Sequence, residues 1–202
     1  MSTPLQDKTI LLGVTGSIAA YKAAELATIM SQAGAKVDVI LTPAALQFVT
    51  PLTFQSVTGR KAYVEADLWG GEGHVTHIGL GRAADLIVIA PASANTIAKL
   101  AHGIADNLLC VTVLASHCPL ILAPAMDAGM FGQTVTQANV ELLSQRGAIL
   151  IGPAAGHLAS GLVGVGRMVE PAEIVSFVRY QLSRGGPLAG QKIVVTAGGT
   201  QE

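Results

Sequence analysis

The sequence has few charged residues, few aromatic residues and no long run of apolar ones. Only 12% of its 202 residues are charged and 4% are aromatic, and the net charge is −1. Lysine and arginine form no cluster, which argues against nucleic acid and anionic membranes as partners. No stretch reaches the roughly 18 consecutive apolar residues that a membrane-spanning helix needs. The sequence therefore excludes the nucleic-acid-binding and membrane-spanning classes.

Cysteine is also scarce, and neither of the two cysteines has a partner at metal-ligand spacing. Cys110 and Cys118 lie in or beside apolar stretches, which predicts buried thiols in an intracellular protein. His74 and His77 have the spacing of a zinc-binding pair, but no cysteine or third histidine lies at ligand spacing, so no metal site is predicted. Residues 1–8 are polar and do not form a signal peptide, so we expect a cytoplasmic protein.

Half of the residues are hydrophobic, and most of these are alanine, valine, isoleucine and leucine. Together with 23 glycines, this composition is typical of buried parallel sheet and close helix packing. The charged residues are too few to cover the surface of a monomer. We therefore expect that substantial apolar surface is buried between identical subunits.

Short apolar segments alternate with amphipathic ones along the chain, which predicts an α/β fold with a mostly parallel sheet. Strands are predicted at residues 9–14, 36–41, 86–90, 119–123 and 148–151. Helices are predicted after a turn at residues 13–18 and at residues 44–48, 52–57, 78–84, 97–104, 106–116, 135–145 and 171–182. The third strand should end at Pro91, because proline cannot donate a hydrogen bond to a neighbouring strand.

Three of these strands end in small polar residues where a helix begins. The glycine-rich turn at residues 13–18 could bind phosphate or be purely structural, because it matches neither the G-x-G-x-x-G pattern nor a P-loop. Thr42 stands where an acidic residue would bind a ribose, which argues against NAD and suits a phosphate or ribityl group. Ser93, Asn95 and Thr96 are typical both of an ordinary helix cap and of a ligand-binding loop. Because ligands bind beyond the carboxyl ends of parallel strands, these loops form the candidate site.

Later segments add further candidates. The loop at residues 124–131 holds Asp127 and two methionines, which could fill the core or form a wall for a flat aromatic ligand. The glycine-rich residues 156–167 show no helical or strand period and predict a flap over the site. Residues 63–73 predict a mobile loop. His77 precedes the helix that leads to the central strand, so it could reach the rim of the site or lie on the surface as a helix cap.

The end of the chain is similar to the beginning of a second unit. Residues 184–191 have the composition of a linker, and residues 192–202 read as a fresh strand followed by a glycine-rich turn. We therefore expect a first domain over residues 1–183, a linker over residues 184–191, and the start of a second, nucleotide-binding domain over residues 192–202.

The chain as a whole resembles the flavin-containing cysteine decarboxylases, and especially the branch in which phosphopantothenoylcysteine decarboxylase is fused to phosphopantothenate–cysteine ligase. The segments that carry the resemblance are His77-Ile78, residues 91–96 (PASANT), 124–130 (PAMDAGM) and 162–168 (LVGVGRM), with residues 192–202 similar to the opening of the ligase half. This resemblance implies a flavodoxin-like Rossmann fold with three α/β/α layers. It also implies FMN at a subunit interface, and homotrimers that assemble into dodecamers.

The resemblance implies a role for each candidate residue. FMN would be bound by Gly16, Ser17, Ile18, Thr42, Ser93, Ala94, Asn95, Thr96 and Ala125. His77 would be the catalytic base, and Ser160 occupies the position of the proton donor in the flap. The substrate would contact Asp127, Met130 and Arg167. The implied reaction is the decarboxylation of 4′-phosphopantothenoylcysteine to 4′-phosphopantetheine in coenzyme A biosynthesis, catalysed by a carboxy-lyase.

Two residues depart from the family pattern. Asp127 replaces an asparagine that contacts the substrate carboxylate; we expect it to be protonated, turned away, or offset by a cation such as Arg167. Ser160 replaces the cysteine that donates the last proton, and serine is a far weaker acid. The alternatives are therefore a decarboxylase that stops at the enethiol, as peptidyl-cysteine decarboxylases do, and a non-catalytic FMN-binding regulatory protein. A flavin prenyltransferase fits these motifs less well.

Overall fold

The computed structural model describes residues 4–69, 75–186, 189–192 and 194–196. Its central sheet contains six strands: β1 (Thr9–Val14), β2 (Lys36–Leu41), β3 (Ala62–Tyr63), β4 (Leu86–Ala92), β5 (Leu120–Pro124) and β6 (Ile149–Leu150). All neighbouring strands are parallel, in the order β3-β2-β1-β4-β5-β6. The order reverses between β1 and β4, and ligands of open α/β sheets bind in the crevice at such a point.

Helices cover both faces of the sheet. They are α1 (Ala20–Gln32), α2 (Pro51–Thr58), α3 (Thr76–Ala83), α4 (Ala94–His102), α5 (Leu108–Leu114), α6 (Ala128–Phe131), α7 (Thr134–Gln145) and α8 (Pro171–Ser183), with short 3₁₀ helices at Ala45–Gln47 and Glu65–Trp69. The predicted end of α1 is confirmed, because Gly34 follows it with a φ of 93° that favours glycine. Proline opens α8, as the sequence predicted.

The strands are apolar throughout because both of their faces are buried. In β1, Ile10 and Leu12 belong to the core under α1 and α8, whereas Leu11 belongs to the core under α4, α5 and α7. Each large aliphatic side chain buried in this way stabilises the fold by about 1.5–3 kcal/mol. The resulting three layers confirm the predicted flavodoxin-like α/β fold.

The predicted flap is a two-stranded antiparallel hairpin, formed by β7 (Ala154–His157) and β8 (Val163–Arg167). The prediction that this segment has no strand character was wrong. Glycines interrupt the alternation of side chains that identifies a strand in sequence. They are needed here because β8 lies directly against α6: a Cβ on Gly164 would come within 2.6 Å of the Ala128 Cβ, and one on Gly166 would overlap the carbonyl oxygen of Met126.

The predicted mobile loop at residues 63–73 was wrong in its first half. Tyr63 pairs with β2 as the last residue of β3, and a 3₁₀ helix follows at Glu65–Trp69. Asp67 orders this helix, because it accepts the N–H of Val64 at 2.8 Å and pairs with Lys61 at 2.7 Å. The remainder of the prediction and His74 lie outside the described residues.

The strand that was predicted to end at Pro91 continues to Ala92. The pairing with β5 shifts between Ile89 and Ala92, so the sheet does not require a hydrogen bond from the proline nitrogen. The carbonyl of Ala92 accepts the N–H of Ala125 at 3.1 Å. The loop that follows β4 therefore begins one residue later than the sequence predicted.

Several element boundaries also differ from their predictions. The helix predicted at residues 97–104 is α4, which ends at His102 because Gly103 adopts a φ of 68°. Ile104 therefore lies outside the helix and is half exposed. The predicted helix at residues 106–116 begins at Leu108, after Asn107 accepts the N–H of Cys110 at 2.9 Å. The segment at residues 44–48 is the first 3₁₀ helix. Of the two predicted buried thiols, Cys110 is buried and Cys118 is only partly buried.

The described part of the C-terminal segment has no helix or strand after α8. Lys192 and residues 194–196 are exposed, and the rest of the predicted second strand–turn unit lies outside the described residues. The division at residues 183 and 191 therefore stays a prediction. None of the helices in the described ranges is long and apolar enough to cross a membrane.

Candidate functional site

Two adjoining cavities open at the carboxyl edge of the sheet, next to the point where the strand order reverses. The main cavity has a volume of about 590 Å³ and is lined by Gly16, Ser17, Ile18, Ala19, Tyr21, Lys22, Ala44, Ser93, Ala94, Asn95, Ala125, Met126, Asp127, Met130, His157, Leu158, Ala159, Ser160, Gly166, Arg167 and Met168. The second cavity has a volume of about 320 Å³ and is lined by Gly16, Thr42, Pro43, Ala44, Glu65, Ser93, Asn95, Thr96, Lys99, Asp106 and Asn107. The two share residues from three loops, so a single elongated ligand can occupy both.

The turn that follows β1 forms one end of both cavities. It passes so close to the next loop that a Cβ on Gly16 would lie 2.5 Å from the Ala44 Cβ. Ser17 folds back to accept the N–H of Ala19 at 3.3 Å just before α1 begins. The first N–H groups of a helix have no partner within the helix, so this turn presents donors to an anionic or polar ligand.

The loop that follows β4 separates the two cavities. Ser93 accepts the N–H of Thr96 at 3.4 Å and so caps α4. The N–H of Ser93 donates to the Thr15 hydroxyl at 2.9 Å, and this hydroxyl donates to the carbonyl of Pro91 at 2.7 Å. The helix-cap alternative is therefore confirmed, and the same loop lines both cavities; its role as a ligand-binding loop stays a prediction.

Asp127 lies on the outer side of the main cavity with both carboxylate oxygens engaged. It accepts the N–H of Gly129 at 2.8 Å and the hydroxyl of Ser160 at 2.7 Å. These hydrogen bonds, first that from Ser160 and then that from Gly129, lower the pKa of the Asp127 carboxyl, so it is ionised at neutral pH. Of the three states expected for Asp127, protonation is wrong; the carboxylate is bound by the flap instead.

The two methionines of this loop have different environments. Met126 packs against the core under α4, α5 and α7 and also reaches the main cavity, whereas Met130 is half exposed on the cavity wall. The sequence left core filling and a ligand wall as alternatives. Met126 fills the core and lines the cavity, whereas Met130 only lines the cavity; that they form a wall for a flat ligand stays a prediction.

A charged cluster of Lys22, Arg167 and Glu170 lies at the main cavity, where Lys22 and Arg167 are part of the lining. Lys22, with a side chain only 10% exposed, donates to both carboxylate oxygens of Glu170 at 2.9 and 3.0 Å. Arg167 binds the same carboxylate. The contact with Lys22 is the largest influence on the Glu170 carboxyl and lowers its pKa. Arg167 is therefore paired with Glu170, and the expected offset of Asp127 by Arg167 is not what the structure contains.

The main cavity is lined by all of the predicted site residues except Thr42, Thr96 and His77. Thr42 and Thr96 line the second cavity. His77 lies in the first turn of α3, rather than before it, and lines neither of the two cavities. Its Nδ1 is buried and has no hydrogen-bond partner among the described residues.

Several residues of the main cavity were not predicted from the sequence, among them Tyr21, Lys22 and His157. Lys22 gave a signal, because it is a charged residue on the buried face of α1 next to Ala23 and Leu26. His157 gave a weaker one, as the only histidine of the glycine-rich segment that predicted the flap. Tyr21 is exposed, and no pattern in the sequence indicated it.

A protein-family model described as Flavoprotein matches residues 1–183. Among curated relatives, the chain is 44% identical over 198 residues to the coenzyme A biosynthesis bifunctional protein CoaBC of Vibrio vulnificus, covering 98% of this chain and 49% of that protein. It is 42% identical over 200 residues to the protein of the same name from Bacillus subtilis, with the same coverage of both chains. The chain thus spans about half the length of the curated relatives it matches.

Solved structures agree with these matches. A PPC decarboxylase, in a cysteine-to-serine mutant complexed with pantothenoylaminoethenethiol, is 36% identical with a TM-score of 0.78, covering 87% of this chain and 98% of that one. The FMN-dependent cysteine decarboxylase SpaF is 30% identical with a TM-score of 0.76, covering 90% and 98%. The chain belongs to the Flavoprotein family, and the resemblance drawn from its motifs is confirmed.

Proposed function

We propose that this chain binds FMN and decarboxylates 4′-phosphopantothenoylcysteine to 4′-phosphopantetheine, as a carboxy-lyase of coenzyme A biosynthesis. The observation that carries the proposal is the main cavity, where loops from β1, β4 and β5 meet the hairpin and nearly all the residues implied by the family motifs come together. The relatives named for coenzyme A biosynthesis support the substrate, and the titles of the solved neighbours support the cofactor.

The two cavities fit the two chemically different ends of FMN. Hydroxyls of Thr42, Ser93 and Thr96, with the turn at Gly16, offer hydrogen bonds to a phosphate and a ribityl chain. Apolar side chains of the main cavity, which include Ile18, Ala94, Ala125 and Met130, suit the flat ring system. When bound there, FMN supplies an acceptor and donor of two electrons with hydride.

The chemistry explains why a cysteine carboxylate needs such a cofactor. Loss of CO₂ leaves a pair of electrons that requires a sink. Oxidation of the substrate thiol to a thioaldehyde provides one, because the new C=S group is β to the carboxylate. Departure of CO₂ then gives an enethiol, and its reduction gives the saturated aminothiol.

We assign the removal of the substrate proton to His77, which reaches the cavity from a neighbouring subunit of a homotrimer that assembles into a dodecamer. Its position outside the lining of both cavities of its own chain supports this assignment. Two exposed apolar residues at the main cavity, Ile18 at 59% and Tyr21 at 63% exposed, offer a surface that a second subunit would cover.

Met130 and Arg167 are the residues that we assign to the substrate on the flap side. The Arg167 side chain is 46% exposed, so its guanidinium can contact the substrate carboxylate while it remains paired with Glu170. Asp127 shapes this wall through its bonds to Gly129 and Ser160. Its negative charge faces the same anionic substrate, so Asp127 lowers the affinity for the substrate and does not contribute to binding it.

The complete protein carries a ligase domain after residue 191 and acts in the cytoplasm. The curated relatives are about twice as long as this chain and are named as bifunctional, which supports a fused second domain. The enethiol-releasing alternative has less support, because the peptidyl-cysteine decarboxylase EpiD is only 25% identical. The non-catalytic alternative also has less support, because the named relatives are biosynthetic enzymes.

The proposal is tested by FMN titration followed by an assay with carboxyl-labelled substrate. Quenching of flavin fluorescence should show one FMN per chain. The reconstituted protein should then release labelled CO₂ from 4′-phosphopantothenoylcysteine and not from the cysteine-free 4′-phosphopantothenate. Full FMN occupancy without CO₂ release would overturn the catalytic assignment in favour of an FMN-binding regulatory protein.

A further inference from the structure

The reduction of the enethiol requires a proton, and the residue that should supply it is not an acid. Ser160 occupies the flap position implied for the donor, but its hydroxyl donates its hydrogen to Asp127 at 2.7 Å. Asp127 itself is ionised and has no proton to give. The pair at the centre of the flap is therefore a hydrogen-bonded structural contact.

The thiols of the chain cannot replace it. Cys110 and Cys118 are the two cysteines of the sequence, and neither lines either cavity. Burial raises the pKa of both thiols, so both hold their protons more tightly than an ordinary cysteine. The candidate donors within this chain are then the other side chains that line the main cavity.

Most of the other ionisable groups at this cavity are committed. Lys22 gives two hydrogen bonds to Glu170, and Arg167 binds the same carboxylate, so the two cations share one counter-ion. A guanidinium does not release its proton at physiological pH. The groups that remain are the phenol of Tyr21 and the imidazole of His157. Histidine as a class gains and loses a proton near neutral pH, whereas phenols titrate near 10.

His157 also lies in the right part of the fold. It is the last residue of β7, opposite Val163 of β8, and so belongs to the same hairpin as Ser160. It is exposed and it lines the main cavity, so it can reach the substrate and recover a proton from water. Neither the assignment of the base to His77 nor that of the cofactor loops involves this residue.

We propose that His157 is the general acid of the reductive half-reaction, an inference that rests on the proposed function. The imidazolium N–H of His157 would break as its proton forms a C–H bond at one alkene carbon of the enethiol. Reduced FMN, when bound, would supply the hydride for the C–H bond at the other carbon, so that the substrate gains two electrons and the cofactor loses them. The neutral imidazole would then take a proton from solvent.

The test compares His157→Gln with His117→Gln, a control at an exposed histidine between α5 and β5 that lines neither cavity. Each protein is first titrated with FMN by fluorescence, and then reacted anaerobically in a single turnover with mass analysis of the product. We expect unchanged FMN affinity and unchanged CO₂ release in His157→Gln, with formation of the saturated aminothiol slowed about 10²–10⁴-fold and enethiol accumulating. His117→Gln should match the wild type in every respect.

The pH dependence provides a second readout that a merely structural role would not change. In the wild type, formation of the aminothiol should depend on pH, and in His157→Gln this dependence should disappear. The proposal is overturned if His157→Gln reduces the enethiol at the wild-type rate, if Tyr21→Phe produces the loss instead, or if the wild type releases only enethiol. Absence of CO₂ release from the wild type would reject the proposed function itself, and this inference with it.

Discussion

The two sides of the main cavity are built in different ways. The inner wall is formed by the turn at residues 16–19 and the loop at residues 93–96 and contains no charged side chain; Thr96 within it and Thr15 just before it are almost fully buried. The outer wall is formed by residues 125–130 and the β7–β8 hairpin, and its charged groups include the partly exposed Asp127 and the exposed Arg167. The inner wall is thus fixed by the same packing that folds the sheet. In the outer wall β8 packs closely against α6, but the charged and polar side chains are held by a few surface contacts.

This difference indicates at which positions the chain can accept substitutions without losing its fold. Polar groups on the inner wall are bound by the backbone, as Thr15 is by Pro91, so a substitution there disturbs the fold and the cofactor site together. On the outer wall, Asp127 and Ser160 bind mainly one another. Both departures from the family motifs lie on this outer wall. Catalytic detail can therefore change there while cofactor binding is retained.

The largest effect is expected from a residue that belongs to neither wall of its own chain. His77→Gln should lower CO₂ release by at least about 10²-fold, because it removes the proposed base, and leave FMN affinity unchanged. Mixing this variant with Asn95→Ala, which alters the inner wall, should restore activity in hybrid oligomers. Each hybrid then contains interfaces where an intact histidine meets an intact cofactor loop. Failure of complementation, with mixed subunits shown by mass spectrometry, would contradict a site shared between subunits.

On the inner wall, Gly16→Ala should weaken FMN binding by about tenfold or more and destabilise the fold by about 1–3 kcal/mol. The new Cβ would lie 2.5 Å from the Ala44 Cβ and push the two loops apart. Gly79→Ala in α3 is the matched control, because a Cβ there meets nothing within 4 Å. It should be neutral or stabilising, since alanine favours helix. Equal FMN affinities in the two variants would show that the turn does not set the cofactor site.

At the border between the walls, Glu170→Gln should cost about 1–3 kcal/mol, because Lys22 is nearly buried and would lose its charged partner. The effect should depend on pH. The lowered pKa of the Glu170 carboxyl means that its stabilisation is fully present above the ordinary value of 4.5 and is lost as pH falls through the lowered pKa. Thermal melts should show a gap in Tm between wild type and variant near neutral pH that narrows in acid. A gap that widens in acid would contradict the assigned ion pair.

The smallest effect is expected for Ser160→Ala on the outer wall. Loss of its hydrogen bond to Asp127 should loosen the hairpin and raise the rate of chymotrypsin cleavage at Leu158 and Leu162 by about two- to fivefold. FMN affinity should not change, because the hydroxyl of Ser160 is bound to Asp127 of the outer wall. A comparable loss of FMN affinity would show that the two walls are coupled.

The sequence predicted the inner wall well and the outer wall only in outline. Continuous apolar strands that end in Ser, Thr and Gly have few alternative placements, so the sheet and the residues near Gly16 and Ser93 followed from pattern and spacing. The hairpin did not, because its glycines remove the alternation that marks a strand, and the pairs Asp127–Ser160 and Lys22–Glu170 join residues far apart in sequence. Local sequence patterns contain no information about such pairs. A functional role for His157 can be inferred only from its position in the lining of the main cavity.

The central claim is tested most directly by mass spectrometry of the product formed anaerobically from 4′-phosphopantothenoylcysteine by the FMN-loaded protein. Loss of CO₂ alone is the predicted result, and it would mean that both half-reactions occur although Ser160 is not an acid. Loss of CO₂ together with two hydrogens would leave the oxidative half intact and contradict the complete turnover proposed here. An unchanged substrate mass would contradict decarboxylation by this chain.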